Sequence, residues 1–66
     1  MQLIVNGEPR EYRGAPDLAA LVAEFTGGAA RVAVLLNATV VPAGRHAETT
    51  LKDGDRIELL IYAGGG

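Results

Sequence analysis

The residues of this sequence with the most chemistry to offer are its last four, Ala63-Gly64-Gly65-Gly66. Three successive glycines have no side chains, so whatever they do is done by backbone and by the carboxylate of Gly66. Glycine lacks a Cβ, and a glycine segment can thread a channel too narrow for any other residue. A strand running straight out into such a tail would carry that carboxylate away from the fold and into another protein's active site. The same residues also suit an ordinary frayed chain end, where small residues and mobility are common. Taken alone, the tail supports either reading.

The other polar groups are expected to be structural. Asp53 and Asp55 flank Gly54 in the run Lys52-Asp53-Gly54-Asp55, where carboxylates more often hydrogen-bond a turn backbone than hold a metal. Arg13, Asp17 and Glu24 can be offered as acid–base or metal groups, but structural roles are expected for them. His46 is the single histidine. It is expected on a polar, exposed arm, without the oriented partner that a catalytic imidazole needs. There are no cysteines, which excludes disulfides and thiolate metal sites, and one histidine cannot assemble a zinc site. Gly27-Gly28 follows a helical pattern instead of opening one, so it is no phosphate loop. The expectation is a protein with no catalytic residues of its own and no bound metal or cofactor.

Sixty-six residues make a single domain that can hide roughly 60% of its unfolded surface. A hydrophobic fraction of 48% against 21% charged residues fits a globular chain and not a disordered one. Six basic and eight acidic residues give a formal net charge of −2. The bases Arg10, Arg13, Arg31, Arg45, Lys52 and Arg56 form no stripe that could follow a phosphate backbone, so nucleic acid is not an expected partner. Apolar runs fall far short of the roughly 20 residues of a membrane span, and no signal segment opens the chain. The cytoplasm is the expected location.

The elements that must position the tail are legible in order. Gln2 to Asn6 reads as a strand ended by Asn6-Gly7, a hairpin signal because both turn positions want positive φ. Arg10 to Arg13 reads as the return strand on a charged edge, broken by Gly14. Pro16 suits the first position of a helix and Asp17 its first turn. Leu18, Leu21, Val22 and Phe25 then recur on one helical face, and Gly27-Gly28 stops the helix. Arg31 to Leu36 reads as an inner strand, Asn37-Ala38 as a turn, Thr39 to Val41 as a brief extended piece halted by Pro42, and Ala43 to Ala47 as one helical turn. After the turn at Lys52 to Asp55 comes the last strand, Arg56 to Tyr62. This order predicts an α+β fold of the β-grasp type, one domain over residues 1–66 with a flexible tail at 63–66. A mixed sheet of four or five strands is covered on one face by one main helix, with first and last strands side by side in the middle. A split βαβ alternative needs a second full helix, for which there is no room.

In the last strand Ile57, Leu59 and Ile61 alternate with Arg56, Glu58, Leu60 and Tyr62. The first set should pack under the helix. The second changes from charged to apolar just where the chain leaves the fold. Leu60, Tyr62 and Ala63 are therefore candidates for partner contact; the plainer reading has them tucked against a neighbouring strand.

Several segments together carry a family resemblance. Met1 to Gly7 (MQLIVNG), Val32 to Asn37 (VAVLLN), Val40-Val41-Pro42, Leu51 to Glu58 (LKDGDRIE) and the glycine terminus resemble the ThiS sulfur carriers of the ubiquitin-like ThiS/MoaD family. The resemblance spans essentially the whole chain. It implies a β-grasp protein that is a co-substrate and not an enzyme, monomeric when free. A ThiF-like adenylating enzyme would use ATP and magnesium to activate the Gly66 carboxylate. A persulfide from a cysteine desulfurase system would displace AMP and leave a thiocarboxylate. Thiazole synthase would then take the sulfur for thiamine. Two glycines would suffice for this, so Gly65-Gly66 are the working pair unless Gly66 is trimmed, in which case Gly64-Gly65 would serve. Related carriers feed molybdopterin synthase or other sulfur-transfer pathways, and others act as protein modifiers; the MoaD-type carriers are typically longer than this chain.

Overall fold

Asn6 and Gly7 take φ values of 50° and 81°, the two left-handed positions that a two-residue type I′ turn requires. They fold strand β1 (Gln2–Val5) back on strand β2 (Glu8–Glu11), with Val5 opposite Glu8 and Gln2 opposite Glu11. The return strand thus begins two residues earlier than the Arg10–Arg13 stretch expected from sequence. The reason is the turn itself: with two loop residues the ladder resumes at once, and it ends when β1 runs out. Every residue of β2 is exposed, and Pro9 with the flanking charges blunts this edge against pairing with other chains. The structure, a computed structural model, describes residues 1–27 and 31–61.

Helix α1 spans Leu18–Thr26. Asp17 is its N-cap, with extended backbone and a side chain that accepts the Ala20 N–H at 2.8 Å. Pro16 therefore precedes the cap and is not the first helical residue. The carboxylate does more as an acceptor for an orphan N–H than as a charge inside the first turn. At the other end Gly27 adopts φ 65° and donates its N–H to the Ala23 carbonyl, a left-handed cap; Gly28 lies outside the described residues. Leu18, Leu21 and Val22 are buried and Phe25 packs partly against them.

Strand β3 (Val32–Leu36) is followed by a turn at Asn37-Ala38, with φ 49° and 70°, and the two-residue strand β4 (Thr39–Val40). A 3₁₀ segment, Ala43–Glu48, then leads to the turn at Lys52–Asp55 and to strand β5 (Arg56–Ile61). The sheet order is β2-β1-β5-β3-β4. β5 runs parallel to β1, with Ile4 opposite Arg56, and antiparallel to β3. First and last strands are neighbours, and the last one is central. This is a β-grasp fold, with α1 over one face of a five-stranded mixed sheet.

The core joins Leu3 and Val5 of β1, Val34 of β3, Ile57 and Leu59 of β5, and Leu18, Leu21 and Val22 of α1, together with Tyr12 and Leu51. The buried Tyr12 hydroxyl donates to the Ala15 carbonyl at 2.6 Å. Burial pushes its ionisation above the ordinary phenol range, and the Glu24 and Asp17 carboxylates push the same way, so it remains a donor at neutral pH. Gly14 lies directly over this ring: a Cβ there would stand 2.6 Å from the hydroxyl oxygen and 2.8 Å from Cζ. We expect Gly14→Ala to lose about 1–3 kcal/mol by forcing the ring out of its seat, measured as a lower urea midpoint at constant slope. Unchanged stability would mean that the Tyr12 ring is not fixed there.

Candidate functional site

Strand β5, the last described element, is held by alternating anchors. Ile57 and Leu59 point into the core and are almost fully buried. Ile61 was expected to join them beneath the helix, but it is 53% exposed. Its pairing explains the difference. β1 leaves the sheet after Val5, opposite Ile57, and the partner of Ile61 on the other side is Val32, the first residue of β3. The sheet narrows here, and Ile61 loses neighbours that Ile57 keeps.

On the opposite face the register assembles a patch. Leu60 stands across from Ala33, and Glu58 across from Leu35, which in turn faces Val40 of β4. Leu60 is 49% exposed and Val40 65%, while Ala33 and Leu35 are half-buried between them. The change from charged Arg56 and Glu58 to apolar Leu60 is thus present on the open face. Reading β5 alone misses Val40, Leu35 and Ala33. The sequence shows them only as parts of an unbroken apolar run and a brief extended piece, and the ladder register is what places them beside Leu60. Tyr62, Ala63, Gly64, Gly65 and Gly66 lie outside the described residues.

The remaining polar candidates are occupied by the fold. Asp55 Oδ2 accepts the Lys52 N–H at 2.8 Å, and Asp53 Oδ1 accepts the Gln2 N–H at 2.7 Å. The Gly54 N–H returns a bond to the Gln2 carbonyl at 2.7 Å, so this turn stitches the start of β5 to the start of β1. Asp17 caps α1, while Arg13 and Glu24 are exposed. His46 corrects an expectation. It is 8% exposed, not displayed on an outer arm, and its Nε2 lies 3.0 Å from the Val41 carbonyl. The 3₁₀ segment packs against α1 and turns the imidazole inward, which composition alone could not reveal. Among the described residues no three His, Cys, Asp or Glu side chains are grouped to hold a metal, and no helix is long and apolar enough to cross a membrane.

Comparison with known proteins agrees with this architecture. The crystal structure of thiamine biosynthesis protein ThiS from Geobacter metallireducens superposes with a TM-score of 0.80 at 38% identity, covering 100% of both chains. A solution NMR structure of a thiamine biosynthesis protein from the same organism gives 0.79 at 38% identity, covering 100% of this chain and 88% of that one. Among curated proteins, thiazole synthase from Paramagnetospirillum magneticum (strain ATCC 700264 / AMB-1) is 35% identical over 66 residues. The chain spans 20% of the length of that relative. The sequence model of the ThiS family matches residues 3–66, which includes the glycine tail. With the family pattern over nearly its whole length and a superposition that covers the whole chain, this chain belongs to the ThiS family.

Proposed function

We propose that this protein is a sulfur carrier for thiamine biosynthesis, acting in the cytoplasm as a co-substrate of other enzymes, with the Gly66 carboxylate as its reactive group. The observation that carries the reading is the ThiS family match running through Gly66, on a fold whose central strand β5 leads to that tail. A free carboxylate is a poor electrophile. Attack of its oxygen on the α-phosphorus of ATP, with magnesium-bound pyrophosphate leaving, makes an acyl adenylate in the active site of a ThiF-like enzyme. A persulfide supplied by a cysteine desulfurase then attacks the acyl carbon and AMP departs. Reduction of the resulting acyl disulfide by a thiol frees the thiocarboxylate, whose sulfur is a tethered nucleophile. The likeness to one fifth of a protein named thiazole synthase supports thiazole synthase as the acceptor.

The patch of Leu60, Leu35, Ala33 and Val40 lies on the open face beside the outgoing strand, where an activating enzyme that grips the tail would also rest. Leu60→Glu should weaken binding to the adenylating enzyme about tenfold or more, because a charge would be buried in an apolar contact. Its melting temperature should stay near wild type, since Leu60 is half-exposed. Calorimetric titration and thermal melts on one sample check both parts, and wild-type affinity in the variant would remove this face from the interface.

Intact-mass spectrometry tests the reading itself. Incubation with a ThiF-like enzyme, magnesium-ATP, a cysteine desulfurase and cysteine should replace one carboxylate oxygen of Gly66 by sulfur. Covalent adducts on other proteins would instead identify a modifier, and an unchanged mass with active enzymes would refute both.

A further inference from the structure

Two asparagines in left-handed conformation hold β5 from opposite edges. On the β3 side Asn37 donates its N–H to the Arg56 carbonyl at 2.8 Å, and its Oδ1 accepts the Arg56 N–H at 3.0 Å. Its Nδ2 donates to Asp55 Oδ1 at 3.0 Å. On the β1 side Asn6 donates its N–H to the Ile57 carbonyl at 2.9 Å, and its Oδ1 accepts the Leu59 N–H at 2.8 Å. The two clamps differ in where they act. Asn37 grips the first residue of β5. Asn6 reaches further along, beyond the last residue pair of β1 and β5, to a strand residue only 6% exposed. Because β1 turns away at Asn6, its backbone offers the Leu59 amide no acceptor, and a buried amide without one is costly.

The turn does not explain this bond. A left-handed φ at the first turn position is met equally well by glycine, and a contact with a residue 53 positions away is no part of hairpin closure. We propose that Asn6 is a positioning residue: its side-chain amide extends the β1–β5 ladder one rung past the end of β1. It thereby fixes the direction of the end of β5, where Leu60 and Ile61 are paired with β3 alone. The value of that direction for adenylation rests on the carrier function proposed above; the ordering of the exit does not.

Two substitutions in the full-length protein separate the acceptor from the turn. Asn6→Gly keeps the left-handed turn and deletes the acceptor, whereas Asn6→Asp keeps both. In Asn6→Gly the Leu59 amide should exchange about tenfold faster or more, the measure of one lost hydrogen bond. Backbone ¹⁵N order parameters at Leu60 and Ile61 should fall below about 0.6, into the flexible range, while the β1–β2 pairs keep their shifts. Asn6→Asp should retain wild-type values throughout. With a ThiF-like enzyme, ATP–pyrophosphate exchange should show kcat lowered about fivefold or more in Asn6→Gly with KM within about twofold, as expected for lost alignment with docking intact. Asn6→Asp should restore it. Unchanged order at Leu60 and Ile61 in Asn6→Gly, or equal loosening in Asn6→Asp, overturns the proposal whatever the enzyme does. A loosened exit with unchanged kcat overturns the positioning role. Failure of the wild-type protein to be adenylated, with the exit loosened in Asn6→Gly, would fall on the carrier reading and leave the ordering by Asn6 supported.

Discussion

Deleting Gly65 and Gly66, or adding one tryptophan after Gly66, should abolish adenylation while thermal unfolding stays at the wild-type temperature. The deletion leaves a carboxylate at Gly64, about 7 Å short of its former reach at roughly 3.5 Å per extended residue. Adenylation needs that oxygen in line with the α-phosphorus, and reactions that depend on such placement lose most of their advantage within an ångström or two. A loss of at least about a thousandfold is expected from the effective molarities involved. The added tryptophan moves the carboxylate onward and puts a side chain where a glycine-wide channel would admit none. Neither change touches the core, which is formed by residues from Leu3 to Leu59. Single deletion of Gly66 adds a finer test: full activity there would identify Gly65 as the working terminus. ATP–pyrophosphate exchange is the measurement, and an adenylate formed at the normal rate by the extended protein would remove the tail from the chemistry.

The largest effect on stability is expected at Leu21→Ala. Leu21 is fully buried on the face of α1 that covers the sheet, and its removal leaves a cavity that strands held by ladders on both sides cannot readily fill. Comparable substitutions cost about 3–4 kcal/mol. A domain of this length commonly has only about 3–10 kcal/mol in total, so the variant should be largely unfolded at physiological temperature or nearly so. Urea unfolding followed by circular dichroism gives the number. Leu60→Ala, on the open face, should shift the same curve by less than about 1 kcal/mol. A small loss for Leu21 would mean that the helix can settle onto the sheet and close the gap.

Features of this molecule that depend on local backbone preference are legible in its sequence, and those that depend on long-range pairing are not. The Asn6-Gly7 turn was legible because it depends on local backbone preference, and so was the helical face of Leu18, Leu21, Val22 and Phe25. The central place of β5 followed from element order. The position of β2 was read two residues late, since hydrophobic pattern is faint in a strand that is exposed throughout. His46 was placed outside, because nothing local reports that a 3₁₀ segment packs against α1. Val40 beside Leu60 depends on ladder register, and the Asn6–Leu59 bond on contact between opposite ends of the chain. Pairings of that kind leave no local periodic trace.

The central position of β5 also has a consequence for synthesis. Until that strand emerges from the ribosome, the β1–β2 and β3–β4 pairs have no strand between them to join them into one sheet. Loop closure across nearly the whole chain must therefore come late in folding. A chain broken off before Arg56 would lack both the tail and the strand that joins the two half-sheets. Prematurely ended copies should then be cleared by proteases as unfolded polypeptide, and they would not persist as docking-competent decoys that occupy an activating enzyme unproductively.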